Sequence, residues 1–311
     1  MTTADYFLDK SHGKFSFSSG EEPALRIAPG TRERIAFETS DAVYAELHEH
    51  HDLDQLTVGI NPVTGPVFVE GAEPGDALIV TIHEILLKDF GWSVSLPGTG
   101  ALSQVMGPEM FTRRIPIDAA GVHVTDRHIF DAKPMIGCIG TAPAGGGNST
   151  VMPSFAGGGN MDLTGCRPGS KVYLPVMVDG AYLSIGDIHA LMAEGESSFV
   201  AIEAEGTAII SIELAKAMNL RAPRIETPEE WIFVGLGDPV QESITRGYED
   251  MFDFLVRDHG WPRGDAYAVL SAVGNSRLGG PTGSSVPDPL HPFTPIGAVT
   301  VHHLPKSVLE P

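Results

Sequence analysis

Asp187 and His189 stand two residues apart in the segment LSIGDIHA, and Asn160 and Asp162 stand two apart in GGGNMDLTG. In an extended strand, residues i and i+2 point to the same side, so each pair can present two polar groups to one space. A carboxylate oxygen beside an imidazole nitrogen is a donor set for zinc or another divalent cation. Glu194 and Glu196 follow in the acidic turn AEGESS. On spacing alone, Asp187 and His189 could equally be a surface aspartate beside a nearby histidine. The triplet Gly157, Gly158 and Gly159 ahead of Asn160 permits close backbone approach to a ligand, but a flexible turn has the same composition. The choice depends on whether the two pairs converge.

A third candidate is ELHEHHDLD, with His48, His50 and His51 among acidic side chains. Three such histidines look like metal ligands, yet the stretch shows no glycine or apolar frame that would hold them rigid. Two other chemistries are disfavoured. Neither APAGGGNST nor FAGGGNMD ends in the Gly-Lys-Ser/Thr of a phosphate-binding loop, and no Gly-x-Ser-x-Gly nucleophile elbow occurs.

The elements that must position these residues are short. Residues 56–82 and 115–142 contain Val, Ile and Phe runs bounded by Asn-Pro, Gly-Pro and Glu-Pro-Gly-Asp, a pattern of strands joined by tight turns. In KVYLPVMVDGAYLSIGD two such runs flank Asp179-Gly180, which predicts a hairpin. With FVAIEAEGTAIISIEL it predicts a three- or four-stranded antiparallel patch over 170–214. After Pro223 the texture changes. Val240, Ile244, Tyr248, Met251, Phe252, Leu255 and Val256 recur at helical steps, Gly260 suits a helix stop, and WPRGDAYAVLSAV restarts a shorter helix. The proline-rich last thirty residues read as extended loop and edge strand. The expected fold is mainly β, with a β-sandwich-like core, a smaller α/β part and a C-terminal helical pair. Residues 1–222 would form the core bearing the site, with 223–311 packed on it.

Among 311 residues, 20 Lys and Arg stand against 40 Asp and Glu, a formal charge of −20. Such a chain has little with which to neutralise phosphates, which argues against a nucleic-acid partner. Cys138 and Cys166 are too few for a disulfide framework, and Cys138 in PMIGCIG reads as a small buried hydrophobe. No long apolar run or leader pattern is present, and the expectation is a cytoplasmic protein without membrane contact.

Several stretches resemble the acetamidase/formamidase family of metal-dependent amide hydrolases: NPVTGPVFVEGAEPGD (61–76), GWSVSLPGTGAL (91–102), MIGCIGTAPAGG (135–146), GGNMDLTGCRPGSKVYLPVMVDGAYLSIGDIHA (158–190), PRIETPEEWIFVG (223–235) and LVRDHGWPRGDAYAVLSAVG (255–274). The resemblance implies hydrolysis of formamide- or acetamide-like substrates to an acid and ammonia, a homo-oligomer, and a divalent metal, zinc or alternatively calcium. Carried onto this sequence, it implies Asp162, Asp187 and His189 as metal ligands. It also implies Glu196 as general acid/base with Glu70 second, and Asn160 as a substrate-orienting residue. The chain departs from the family pattern at Gly157, where a histidine is expected, at Met192, where a glutamine is, and at Asn275, where an acid is. A cyclic or larger amide as substrate, or a ligand-binding sandwich without turnover, is the alternative.

Overall fold

The computed structural model describes residues 3–30, 33–151, 154–280 and 298–310. Val- and Ile-rich runs of a few residues fit a pleated, half-buried surface, and the Gly and Pro between them stop each run early. Among the described residues these runs form two large sheets. The first has the order Tyr6–Leu8, Ile35–Glu38, Gly206–Ala215, Ala77–Leu87, Lys171–Pro175, Arg224–Glu226, Glu230–Gly237, Ala298–Pro305 and Asn275–Leu278. The second has the order His128–Phe130, Gly121–Thr125, Phe111–Asp118, Phe90–Ser95, Ile202–Glu203, Leu183–Leu191, Met135–Gly140 and Gly158–Asn160, and Val63–Val69 also pairs with Leu183–Leu191.

Val80, Ile82, Ile210 and Ile212 of the first sheet meet Val67, Ile136, Ile139, Ile185 and Ile188 of the second in one buried cluster. Each such side chain contributes about 1.5–3 kcal/mol on burial. The protein is therefore mainly β with a sandwich-like core. The helical pair is Val240–Asp253, continued as a π-helical turn over Phe254–Asp258, and Arg263–Val273. It buries Met251, Phe254, Leu255 and Leu270 against Phe233 and Leu304 of the first sheet. Among the described residues no helix is long and apolar enough to cross a membrane.

The three- or four-stranded antiparallel patch over 170–214 does not form; within it only Leu183–Leu191 and Ile202–Glu203 pair with each other. Lys171–Pro175 lies in the first sheet against Ala77–Leu87, whereas Leu183–Leu191 lies in the second against Met135–Gly140. The Asp179-Gly180 break is a crossing between sheets, made where Gly180, Ala181 and Tyr182 all take left-handed φ. Two-residue hairpin turns and sheet crossings use the same residue types, and only the partners differ. The chain crosses back at Glu205-Gly206, between Ile202–Glu203 in the second sheet and Gly206–Ala215 in the first.

Ala298–Pro305 is not an edge strand. It pairs with Glu230–Gly237 on one side and Asn275–Leu278 on the other. The prolines at 281, 287, 289, 292 and 295 lie outside the described residues. Lys171–Pro175 also pairs with Arg224–Glu226, so strands from both sides of residue 222 share one sheet.

Candidate metal centre

The site begins where two neighbouring strands lose their alternation. Ile185 and Ile188 both lie in the main core, as do Ile136 and Ile139. Residues three apart in a regular strand face opposite sides, so each strand switches faces between its two isoleucines. The switch falls at Asp187, held at φ 57°, and at Gly137 across from it, flanked by the pairs Ile136↔Ile188 and Cys138↔Gly186. Asp187 and His189 therefore do share a space, but through a left-handed kink and not through extended i, i+2 geometry.

Asp162 arrives from the next strand. Its backbone N–H and that of Met161 both donate to the Gly137 carbonyl, at 3.2 and 3.1 Å, and its own φ is 46°. Glu196, on the turn after the Leu183–Leu191 strand, has φ 35°. Left-handed conformations are costly for non-glycine residues and gather at functional sites. Gly137 completes the frame. A Cβ there would lie 2.4 Å from Asp162 Oδ1 and 2.6 Å from Asp187 Oδ2, so only glycine lets both carboxylates close over the strand.

These elements gather four carboxylates around one imidazole. His189 Nε2 is 3.3 Å from Glu203 Oε2, 3.4 Å from Asp187 Oδ1 and 3.7 Å from Asp162 Oδ1. Asp162, His189 and Glu196 form one trio of converging donors and Asp187, His189 and Glu203 another. All five residues are buried. Asp162 Oδ1, Glu196 Oε2 and both nitrogens of His189 have no hydrogen-bond partner. Buried polar atoms are ordinarily paired, so unpartnered donors gathered at one point are the donor set of a ligand site. The nitrogen–oxygen spacings are long for hydrogen bonds. They fit donors sharing one ion, since bonds of 2.0–2.2 Å in tetrahedral array separate ligand atoms by about 3.3–3.6 Å. The residues present fit a divalent cation, and a set rich in carboxylates and holding one imidazole suits zinc or calcium.

Electrostatics point the same way. Burial, and then the neighbouring Asp187, push the Asp162 carboxyl well above its usual range. Burial and Asp162 do the same to Glu196, and burial raises Glu203. At Asp187, burial is outweighed by His189 and by hydrogen bonds, so it stays ionised. His189 is held protonated against its burial by Glu203 and Asp187. Four carboxyls cannot all be charged around one imidazolium in a dry interior. A divalent cation removes that conflict.

The sequence-derived residues divide. Asp162, Asp187, His189 and Glu196 come together. Asn160 sits beside them with its side chain already engaged: Nδ2 donates to the Val151 carbonyl at 2.9 Å, and Oδ1 accepts from Cys138 Sγ at 3.1 Å. Cys138 is thus a polar link as well as a buried one, its Sγ also 3.5 Å from Asp187 Oδ2. Glu70 is not brought to the site. It is exposed on the turn after Val63–Val69, seven residues along that strand from Val63, which pairs with Gly186. At about 3.3 Å per residue that is roughly 23 Å. His48, His50 and His51 are exposed on helix Ala42–His50 and its cap. Their helix does have an apolar frame, burying Val43, Tyr44 and Leu47, and His48 pairs with Thr112 at 2.9 Å. Gly157 is walled by Phe155 and Thr141, Met192 is half-buried, and Asn275 is exposed on the edge strand.

Glu203 was missed. A glutamate amid the apolar residues of FVAIEA was its signal, but the pairing of Glu203 with His189 is a register fact. A groove of about 800 Å³ between the two C-terminal helices contains none of the cluster residues.

The acetamidase/formamidase family model matches residues 21–145 and 144–274. Formamidase from Methylophilus methylotrophus is 27% identical over 216 residues, covering 50% of this chain and 52% of that protein. The chain spans about half the length of the curated relatives it matches first. Among solved structures, the acetamidase from Yersinia enterocolitica superposes with a TM-score of 0.85 at 28% identity, covering 100% of this chain and 94% of that one. A predicted acetamidase/formamidase from Thermoanaerobacter tengcongensis gives 0.84 at 30%, covering 98% and 97%. With the family pattern matched in order along both parts of the sequence, this chain belongs to the acetamidase/formamidase family.

Proposed function

We propose that this protein hydrolyses small linear carboxamides to the acid and ammonia, with a divalent cation held by Asp162, Asp187, His189 and Glu203. The observation that carries the reading is the buried cluster of unpartnered carboxylate and imidazole atoms at ion-sharing distances. Zinc is the preferred occupant, because imidazole joins the oxygen donors. When bound, such an ion supplies polarisation of the amide carbonyl and a pKa near 7 for coordinated water.

The remaining chemistry belongs to the side chains. Glu196 Oε2 is unpartnered and buried, and its proton affinity is raised. It takes a proton from the attacking water and returns it to the amide nitrogen as the C–O bond forms and the C–N bond breaks. Such a positioned general acid/base contributes roughly 10²–10⁴-fold. The overall balance is amide plus water to carboxylic acid plus ammonia. Asn160 is assigned a positioning role through Cys138, which also lies against Asp187.

Metal analysis coupled to ammonia release from formamide and acetamide tests this reading. Asp187→Ala and His189→Ala should each lose bound metal and activity together. Full ammonia release by either variant sinks the assignment.

A further inference from the structure

The histidines at the end of helix Ala42–His50 take no part in the roles above. His48 and His51 are three residues apart, so the helical repeat puts them on one side, and His50 is turned from it. Both rings are exposed, and both reach one hydroxyl on the neighbouring strand Phe111–Asp118. His48 Nδ1 lies 2.9 Å from Thr112 Oγ1, and His51 Nε2 lies 3.3 Å from it. A hydroxyl carries one hydrogen, so it can donate to only one of these nitrogens. Two imidazoles thus converge on a single point between helix and sheet.

Both rings are also held in place. His51 is the C-cap, left-handed at φ 53°, with its backbone N–H donating to the Leu47 carbonyl at 2.9 Å. The His48 ring packs on Trp92 with centroids 5.3 Å apart, and the buried Trp92 is fixed by its 2.7 Å bond to Asp41. The two imidazole centroids are 6.2 Å apart. Imidazoles sharing a metal at about 2.0–2.1 Å have centroids roughly 5–6.5 Å apart. The observed spacing lies at the open end of that range, and a small rotation of exposed side chains closes it. The surroundings favour a cation. The helix C-terminus carries the negative end of the backbone dipole, and residues 42–58 hold Glu46, Glu49, Asp52 and Asp54 with no lysine or arginine. Arg114, on the Thr112 side of its strand, is stacked over the Phe90 ring, 3.8 Å from its centroid.

We propose that His48 and His51 form a second cation site, for a divalent transition metal that prefers imidazole, such as Cu²⁺, Ni²⁺ or Zn²⁺, with Thr112 Oγ1 as a neutral third contact. Two nitrogen donors aimed at the shared point select against calcium and magnesium, which take oxygen ligands. The site is separate from the carboxylate cluster, shares no residue with it, and does not depend on the amide-hydrolase reading. Trp92, packed on His48, makes its occupancy visible.

The test titrates Cu²⁺ into zinc-loaded protein and follows heat, tryptophan emission and released zinc. The wild type should take up one further equivalent of metal without losing zinc. Part of the emission should be lost, because a paramagnetic ion beside His48 quenches Trp92, while Trp231 and Trp261 lie in the C-terminal helical cluster. His48→Gln and His51→Gln should each weaken this binding by roughly tenfold or more and remove the quench at the same Cu²⁺ concentration. His50→Gln should leave both signals unchanged, and Mg²⁺ in place of Cu²⁺ should give neither. Wild-type affinity in His48→Gln or His51→Gln, an equal loss in His50→Gln, or Cu²⁺ uptake matched by zinc release overturns the proposal.

Discussion

His189 and Glu203 face each other across neighbouring antiparallel strands, with Nε2 3.3 Å from Oε2 and no hydrogen bond closing the gap. A buried carboxylate and a buried imidazole held this way are separated as ligands are around an ion. Glu203→Gln keeps the shape and removes the charge. It should weaken zinc affinity at least 10–100-fold, the range seen when groups supporting a metal site are changed. Zinc competition with a chromogenic chelator measures this, and unchanged affinity would remove Glu203 from the ligand set.

Gly137 is the site's steric keystone. Gly137→Ala drives a methyl group into Asp162 Oδ1 and Asp187 Oδ2. The expected cost is about 1–3 kcal/mol of stability, as for overpacking elsewhere, with metal content falling in the protein that still folds. Metal stoichiometry on the purified variant decides the matter. A fully loaded Gly137→Ala would show that the carboxylates have slack.

Metal removal should make stability depend on pH with a definite sign. Burial and neighbouring carboxylates raise Asp162 and Glu196 above their ordinary values of 3.8 and 4.5. The folded, metal-free cluster therefore keeps protons that the unfolded chain gives up. That contribution is whole below the ordinary values and is lost as pH rises through the raised ones. Chelated protein should melt at lower temperature at pH 8 than at pH 5, and the gap to zinc-loaded protein should widen over that range. Calorimetry at several pH values tests it, and a constant gap would contradict it.

His302 gives the opposite dependence in a different place. Its ring is buried between Ser276 Oγ, 2.6 Å from Nδ1, and Thr300 Oγ1, 3.0 Å from Nε2. Burial, and then His303, push its pKa from 6.5 down to about 4. Here the stability is present above 6.5 and lost as pH falls through 4, on the order of 3 kcal/mol at most. Urea unfolding from pH 7 to 4 should show this loss, and His302→Gln should flatten the curve. An equally steep curve in the variant would assign the effect to other groups.

Glu70 supplies a contrast. Glu70→Gln changes an exposed side chain outside the cluster and should shift stability by less than about 0.5 kcal/mol, with metal content and amide turnover unchanged. A loss of turnover comparable to that of Glu196→Gln would return Glu70 to the site.

Much of the site was legible in residue types and short spacings. Asp187 with His189, and Asp162 two residues after Asn160, announced a donor set, because a strand end can hold such pairs on one side. The two-residue and helical periodicities likewise announced a mainly β chain with a C-terminal helical pair, since local burial patterns repeat with the backbone's own period. Glu203 and Gly137 could not be read in this way. Glu203 reaches His189 through a register across two strands, and Gly137 is fixed by the closeness of two carboxylates brought by different strands. The Asp179-Gly180 turn could close a hairpin or cross between sheets with the same residues. Sequence by itself determined which groups were available and how each segment alternates. Which groups meet depended on long-range strand pairing, because the energy of those contacts exists only once distant segments are packed together.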